Sequence, residues 1–327
     1  MVGFWIAVAA AVLPALAILV YFDKKDVFPE PRKVLLATFG LGVMAAIPVL
    51  MVELPVQYAL NRMDLWPQTK GILEAFIGAA VPEEGYKFIV ILYFASRHKA
   101  FDEPMDGIVY GVTASLGFAT LENLLYTMGG GLHLALVRAV TAVPAHAFFG
   151  AIMGYYVGQA RFRPGANRTW MLFNALFWPI MLHGLYDAPL LVAKAVGLPP
   201  TEPIGGPFGP VPYFVVSFGI VIIEWIWAVL LTARLHKDQM ALLAKMNNEA
   251  AAAVTPGTRV LQVGLGSLLL LISQVVFLFV IVAALKGSLG YVPLAMVGAV
   301  GGLLPFLLGL SLVLTKRKVR RRTAQPE

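Results

Sequence analysis

The sequence predicts an all-α protein, a polytopic bundle of about nine transmembrane helices. Of its 327 residues, 59% are hydrophobic and only 13% are charged, whereas about 25% are charged in a typical soluble domain. Mean hydropathy is +0.79. The apolar residues also form runs close to the ~20 residues that a helix needs to cross the hydrocarbon core. These observations exclude a soluble globular protein.

The predicted spans are apolar runs between polar or proline- and glycine-rich connections. The first run ends at the charged segment DKKD, and the second follows the segment PEPRK. No soluble domain fits between the runs, so we expect a single integral membrane domain over 1–327. We predict spans over residues 3–22, 34–52, 71–96, 105–128, 132–160, 169–196, 211–234, 260–285 and 288–314.

Basic residues predict the orientation of these spans, because Lys and Arg accumulate in cytoplasmic loops. With the N-terminus outside and the C-terminus inside, most of the 25 Lys and Arg residues face the cytoplasm. The net charge of +7 therefore reflects topology, and we expect the basic tail 315–327 to lie on anionic lipid rather than to bind nucleic acid. The inner basic groups before the tail are Lys24, Lys25, Arg32 and Lys33, then Arg97 and Lys99, then Arg161, Arg163 and Arg168, then Arg234, Lys237, Lys245 and Arg259.

The third span carries three ionisable residues near its middle, in the segment VPEEGYKF. A charged side chain at the bilayer centre costs at least ~2.5–3.5 kcal/mol, so it persists only against partners or water. Lys87 lies four residues after Glu83 and three after Glu84, and can pair with either carboxylate. Two carboxylates that share one ammonium group leave one of them as a candidate general base. A purely structural ion pair between helices is the alternative.

Spans four to six carry further ionisable groups at matching depths, namely Glu122 in GFATLEN, His146 in VPAHAFFG, and His183 with Asp187 in MLHGLYD. Glu122 has no cation within helical reach in its own span, so it needs a proton, a partner from another helix or a metal ion. Asp187 lies one turn from His183 and can either bind a metal beside it or hold its other ring N–H. Because consecutive helices alternate in direction, we expect these groups to share one site.

Such a set of side chains can catalyse metal-assisted hydrolysis. A Zn²⁺ ion with three or four nitrogen and oxygen ligands lowers the pKa of its water to about 7, and Glu83 or Glu84 would remove the proton. Without a metal, the same groups could act as a glutamate base and a histidine acid. The residues alone leave both mechanisms open. The absence of cysteine removes thiolate ligands and cysteine nucleophiles.

Four other ionisable residues are interpreted as lying outside this site. Arg138, near the outer edge of the fifth span, is interpreted as a snorkelling anchor rather than an oxyanion donor. Glu224 in the seventh span is interpreted as a single buried carboxylate. Glu53 and Glu74, near the outer interface, could line a water entrance.

Four segments resemble, in order, the motifs of the PrsW family of intramembrane proteases. The resemblance covers about 115 of the 327 residues, and four motifs in order are specific where any one alone would be weak. EEGYK at 83–87 resembles the EExxK signature, FATLEN at 118–123 the FxxxE motif, HAFFG at 146–150 the histidine motif, and HGLYD at 183–187 the HxxxD motif.

The layout is also similar to the wider CAAX-protease and bacteriocin-processing superfamily. In that superfamily the first motif ends in Arg and the second in His, so Lys87 and Glu122 favour the PrsW side of the division. The resemblance places the catalytic helices within 71–196, with accessory spans over 1–70 and 211–314.

The resemblance implies a multi-pass protease of the bacterial cytoplasmic membrane, an intramembrane endopeptidase with Zn²⁺ as its cofactor. The implied substrate is a single-span membrane protein, similar to an anti-sigma factor and cut in site-1 fashion near its outer-facing boundary. By residue, Glu83 and Glu84 would be base and partner, and Lys87 would set their charge. The implied ligand or transition-state shell consists of Glu122, His146, His183 and Asp187.

Two other classes of function are open alternatives. A proton-coupled transporter also uses chains of Glu, His and Asp across a bundle. It predicts paired repeats with broken helices in both halves, which are not evident in this sequence. A non-catalytic membrane chaperone or scaffold that retains an old site is the other alternative. The sequence also leaves open the oligomeric state and the choice of base between Glu83 and Glu84.

Overall fold

The computed structural model of the chain describes residues 2–203 and 211–246. Every regular secondary-structure element within these ranges is a helix, so the all-α prediction is confirmed for them. The α-helices are α1 (Val2–Lys25), α2 (Arg32–Arg62), α3 (Pro67–Leu73), α4 (Val81–Ile89), α5 (Pro104–Val140), α6 (Ala142–Phe162), α7 (Arg168–Ala195) and α8 (Tyr213–Met246), with π-helical segments at Glu74–Ala80 and Val90–Phe94 and a 3₁₀ turn at Ala95–Arg97.

Several of these helices are long and apolar enough to cross a membrane. α1 covers the predicted first span. The predicted spans 260–285 and 288–314 and the tail 315–327 lie outside the described residues, so the number of nine spans and the orientation of the termini stay predictions. Four described segments qualify as membrane spans by length and composition, and correspond to predicted spans two, four with five, six and seven: Arg32–Arg62, Pro104–Phe162, Arg168–Ala195 and Tyr213–Leu243.

The predicted third span is helical but changes its helix type along its length. Pro82, near the start of α4, has no backbone N–H, and its ring conflicts with the carbonyl group one turn earlier. The turn before it is correspondingly wide, since the N–H of Val81 bonds to the carbonyl of Phe76, five residues back. Wide π-turns are frequent at functional sites, and this one directly precedes the EEGYK segment.

α5 and α6 form an antiparallel hairpin whose backbones are in contact. Gly131 has φ 68° and breaks α5 between the predicted fourth and fifth spans. A Cβ atom added to Gly154 would overlap the carbonyl oxygen of Gly107, and one added to Gly111 would overlap that of Gly150. Because only residues without a side chain permit so close an approach, these glycines set the register between the two helices.

α7 packs antiparallel to the helical run 67–97, again through glycine. Gly71 lies against the backbone of Val192, and Gly184 lies against the ring of Phe76. This pairing brings α4, with its EEGYK segment, beside the HGLYD segment in the middle of α7.

Candidate active site

Lys87 lies at the centre of the predicted site residues. Its ammonium nitrogen lies 3.1 Å from Glu83 Oε2 and 2.8 Å from Glu84 Oε1. It also lies 3.0 Å from Nδ1 of His146, on α6. An ammonium group has three N–H donors, so this arrangement uses all of them. The predicted pairing of Lys87 with the two carboxylates is confirmed, and the contact with His146 joins α4 to α6.

Aromatic rings surround this buried charge. The Lys87 nitrogen lies 4.2 Å from the ring centroid of Phe118, in a cation–π geometry. Phe149 stacks on His183 with centroids 4.9 Å apart. The rings of His146 and His183 stand at right angles with centroids 5.5 Å apart. The two imidazoles are therefore neighbours in a largely apolar setting that excludes bulk water.

His183 is held between two carboxylates. Its Nδ1 lies 2.9 Å from Glu84 Oε1, and its Nε2 lies 3.1 Å from Asp187 Oδ2. Nε2 also lies 4.0 Å from Glu83 Oε1. The ring is thus oriented by α4 from one side and by its own helix from the other. Asp187 therefore lies within hydrogen-bond distance of the His183 ring.

His146 connects Lys87 to Glu122. Its Nε2 lies 2.7 Å from Glu122 Oε2. Since the Lys87 ammonium can only donate a hydrogen bond, Nδ1 of His146 accepts, and Nε2–H donates to Glu122. The hydrogen-bond network therefore assigns one neutral tautomer to His146.

The interpretation of Arg138 as a snorkelling anchor is wrong. Its guanidinium Nη2 lies 2.8 Å from Glu122 Oε1, and its Nε donates to Asn123 Oδ1 at 2.6 Å. The guanidinium also lies 4.1 Å from the ring centroid of Tyr126. Residues at similar distances before and after the glycine run 129–131 face each other, because the chain reverses there. That glycine run is the sequence signal that could have predicted the pair.

All seven residues predicted for the site lie in one continuous network, and Arg138 is an eighth member. Four helices, α4 to α7, contribute to it. In order of contact it runs through Arg138, Glu122, His146, Lys87, Glu84, His183 and Asp187, with Glu83 attached to Lys87.

Two overlapping groups within this network have the spacing of metal ligands. Atoms of Glu83, Glu122 and His146 lie within 4.8 Å of one another, and so do atoms of Glu83, Glu84 and His183. Catalytic zinc sites use such imidazole nitrogen and carboxylate oxygen donors. Oε2 of Glu84 is buried and has no hydrogen-bond partner among the described residues. The residues present therefore fit a divalent metal ion.

Of the other acidic residues interpreted from the sequence, Glu53 on α2 contacts Glu83, whereas Glu224 and Glu74 form no hydrogen bond with the network among the described residues. Glu224 in α8 is completely buried, and neither of its carboxylate oxygens forms a hydrogen bond within the described part of the chain. Glu74 lies 3.1 Å from Lys194 and accepts a hydrogen bond from Gln57 at 2.7 Å. These contacts tie the C-terminal ends of α2 and α7 to the first π-helical segment.

Comparison with known proteins identifies the family. The family model described as "PrsW family intramembrane metalloprotease" matches residues 30–244, which include every member of the network. The chain is 40% identical to Protease PrsW of Geobacillus kaustophilus over 191 residues, which is 58% of this chain and 82% of the relative. It is 39% identical to Protease PrsW of Bacillus subtilis over 181 residues, which is 55% of this chain and 80% of the relative.

A more distant relative has the same name. Protease PrsW of Clostridioides difficile is 33% identical over 188 residues, which is 56% of this chain and 78% of the relative. No solved structure matches the chain significantly. These matches give no support to the transporter alternative. The chain therefore belongs to the PrsW family of intramembrane metalloproteases and is a multi-pass protease of the cell membrane.

Proposed function

We propose that the chain hydrolyses a peptide bond of a single-span membrane protein, with Glu83 as the general base. The observation that carries this proposal is that Glu83 belongs to both groups of ligand atoms. A carboxylate that lies close to the ligand atoms of both groups can take a proton from a water molecule bound between them. The proposed substrate class is an anti-sigma-factor-like protein cut near its outer-facing membrane boundary.

The contacts of the two adjacent carboxylates support Glu83, rather than Glu84, as the general base. Glu84 is completely buried, and its Oε1 accepts from both Lys87 and His183. Glu83 is engaged less closely, with 3.1 Å to Lys87 and 4.0 Å to His183. Glu84 thus positions the lysine and the histidine, whereas Glu83 is free to exchange a proton. In the proposed step the water oxygen attacks the scissile carbonyl carbon and its proton moves to Glu83.

The same proton then completes the reaction. Glu83 donates it to the amide nitrogen, the C–N bond breaks, and an amine and a carboxylic acid leave, the acid keeping the second proton of the water. Lys87 compensates the negative charge of both glutamates throughout, because its hydrogen bonds to Glu83 and Glu84 stay in place, while the N–H group that contacts Nδ1 of His146 would give way where that nitrogen binds a metal ion. His146 and His183 keep their orientations through Glu122 and Asp187. This arrangement holds the reacting groups in place without rearrangement at the moment of cleavage.

The side chains proposed to hold a metal ion are His146, His183 and Glu122, with Asp187 behind His183. A bound Zn²⁺ would lower the pKa of its water to about 7 and polarise the scissile carbonyl. Glu122 and Asp187 have the most exposed side chains of the network, at 17% and 22%, against 6% or less for Glu83, Lys87 and the histidines. Access for a substrate strand is therefore best at the side where these two carboxylates lie.

Metal removal tests this proposal. The full chain, reconstituted in liposomes with a panel of single-span reporter proteins, should cut at least one reporter near its outer boundary. Treatment with a zinc chelator should lower the cleavage rate at least ~100-fold, and stoichiometric Zn²⁺ should restore it. Mass spectrometry of the fragments identifies the bond that is cut, and elemental analysis measures the bound metal.

Two results would contradict different parts of the proposal. Undiminished cleavage by protein shown to be free of metal would exclude the zinc role and favour a glutamate base without metal. Failure of the zinc-loaded protein to cut any reporter in the panel would reject the single-span substrate class. The Glu83→Gln protein, measured in parallel, shows the background rate of each reporter.

Replacing Arg138 tests the contact that the sequence did not predict. Arg138→Gln should lower the cleavage rate about 10- to 100-fold, as is typical when the partner of a ligand is lost. The physical reason is that Glu122 loses its cation and no longer holds His146 in place. Arg138→Lys should recover most of the rate, because it keeps the charge opposite Glu122. Rates and their pH profiles are compared on purified, folded protein.

Lys194→Gln is the matched control for this experiment. It removes another basic side chain and its ion pair with Glu74, and should change the rate less than about twofold, as expected of an exposed ion pair. If Arg138→Gln and Lys194→Gln cleave at the same rate, Arg138 has no role in positioning the site.

A further inference from the structure

A second cluster of acidic side chains lies at the N-terminal end of α5, away from Glu122 in the middle of that helix. Asp26 and Glu30 come from the connection between α1 and α2, and Asp106 comes from the first turn of α5. Their exposed fractions are 1%, 7% and 0%. Asp106 and Glu122 are separated by about 24 Å along α5, at 1.5 Å per residue. The cluster is therefore distinct from the active site.

The three carboxylates converge on one point. Each offers one oxygen atom, and these atoms lie within 4.8 Å of one another. Hard divalent cations such as Ca²⁺ take carboxylate oxygens at about 2.3–2.6 Å, so two ligands on opposite sides of the ion can be about 5 Å apart. The spacing thus fits a single ion held by all three side chains.

One of the two carboxylate oxygens of Asp106 lacks a hydrogen-bond partner among the described residues. Its Oδ2 accepts from the backbone N–H groups of Asp102, at 2.6 Å, and Glu103, at 2.8 Å. Its Oδ1 is buried and has no hydrogen-bond partner within the described ranges. The carboxyl group of Glu30 lies close to that of Asp106. A helix cap explains the contacts of Oδ2 but leaves Oδ1 without a hydrogen-bond partner among the described residues.

Neighbouring hydrogen-bond donors hold Glu30 and Asp26 in place. The hydroxyl group of Tyr110 donates to Glu30 Oε2. The side-chain amide of Gln239, on α8, donates to Asp26 Oδ1 at 2.8 Å and to Glu103. Both donors are uncharged groups that fix the oxygens from outside. The cluster thus resembles a ligand shell with its outer hydrogen bonds already made.

Within the described residues, no ion pair compensates the charge of Glu30 or Asp106. The neighbouring Glu103 also forms no ion pair with Lys, Arg or His in this part of the chain. Buried carboxylates are normally paired or bound to a metal ion, because an uncompensated buried charge is costly.

We propose that Asp26, Glu30 and Asp106 bind a hard divalent cation of the Ca²⁺, Mn²⁺ or Mg²⁺ class. The ion would join the connection between α1 and α2 to the first turn of α5. Through Gln239 it would also join α8 to the same point. Its role is structural, because α5 carries Glu122 in its middle, and the ion would fix the depth of that helix in the bundle.

Thermal unfolding of the purified full chain tests this site. The protein, stripped with a chelator and returned to detergent buffer, is titrated with CaCl₂, MnCl₂ or MgCl₂. The wild-type unfolding temperature should rise saturably, by about 5 °C at a cation concentration 100 times its dissociation constant. Asp106→Asn and Glu30→Gln should each lose most of that rise, because each removes one charged ligand. Either variant alone suffices if the other does not fold.

Two controls separate this site from the active site and from general salt effects. Asp64→Asn, an exposed carboxylate in the connection between α2 and α3, should keep the full rise. His183→Ala, which lacks an imidazole of the active site, should keep it as well. No rise in the wild type would overturn the proposal, with the carboxyl groups then sharing protons instead. A rise of unchanged size in both Asp106→Asn and Glu30→Gln would also overturn it.

Discussion

Glu83→Gln should lower the rate of peptide-bond cleavage by about 10²- to 10⁴-fold, the range that a general base contributes. The amide keeps the shape of the side chain and can still contact Lys87, so the fold should persist, but it cannot accept a proton from water. The measurement is the initial rate of reporter cleavage in liposomes by purified protein. The unfolding temperature of the Glu83→Gln protein is recorded to verify that the variant is folded.

Glu84→Gln should behave differently, and the contrast tests the assignment of the base. Glu84 Oε1 accepts from both Lys87 and His183 in a completely buried position. Removing one partner of a buried ion pair costs about 3–5 kcal/mol, so this variant should lose stability as well as activity. Near-normal stability of Glu84→Gln together with unfolding of Glu83→Gln would reverse the two roles.

Glu74→Gln is the matched control for both variants. It is the same substitution on the same helical run, at a residue that contacts Gln57 and Lys194 rather than the network. We expect its cleavage rate to stay within about twofold of wild type, since exposed ion pairs contribute little. A loss in Glu74→Gln as large as that in Glu83→Gln would mean that glutamates of this run act through the fold and not as a base.

Gly154→Leu should abolish activity by separating α5 from α6. A Cβ atom at this position already overlaps the carbonyl oxygen of Gly107, which is backbone and cannot rotate away. Overpacking of a well-packed site typically costs about 1–3 kcal/mol and occasionally more, and a whole leucine side chain belongs at the upper end. The displaced helices carry Glu122 and His146, so the 2.7 Å contact between them should be lost.

Thermal unfolding and reporter cleavage measured on the same preparation verify this result. Gly40→Leu is the matched control, because a Cβ atom at Gly40, on α2, meets nothing within 4 Å. The control should retain both stability and activity. A Gly154→Leu protein with the unfolding temperature and rate of Gly40→Leu would show that the glycine contact between α5 and α6 is not required.

Two parts of the site were predictable from the sequence because they depend on a single helix. Residues three or four apart share a helical face, which is why the pairing of Glu83 and Glu84 with Lys87 and that of His183 with Asp187 were predicted and found. The cost of charge in a membrane also predicted that these groups would not face lipid. Their burial agrees with that expectation.

The contacts between helices could not be predicted from the sequence, because they depend on the position of each helix along its neighbour. The glycine contacts of α5 with α6 set that register, and they bring Arg138 back to Glu122 although the two lie in different predicted spans. The wide turn before Pro82 sets the depth of the EEGYK segment. A hydrophobic pattern specifies which face of a helix is buried, but not these offsets.

The sequence by itself determined an all-helical membrane protein with four specific motifs, and with them the family. Composition, the length of apolar runs and the spacing of residues within a helix are local properties, so the amino-acid sequence alone determines them. Only the tertiary structure decided which glutamate is tightly held, that Arg138 supports Glu122, and that Asp26, Glu30 and Asp106 meet. Each of these depends on residues brought together from separate helices, and packing, not sequence distance, brings them within reach.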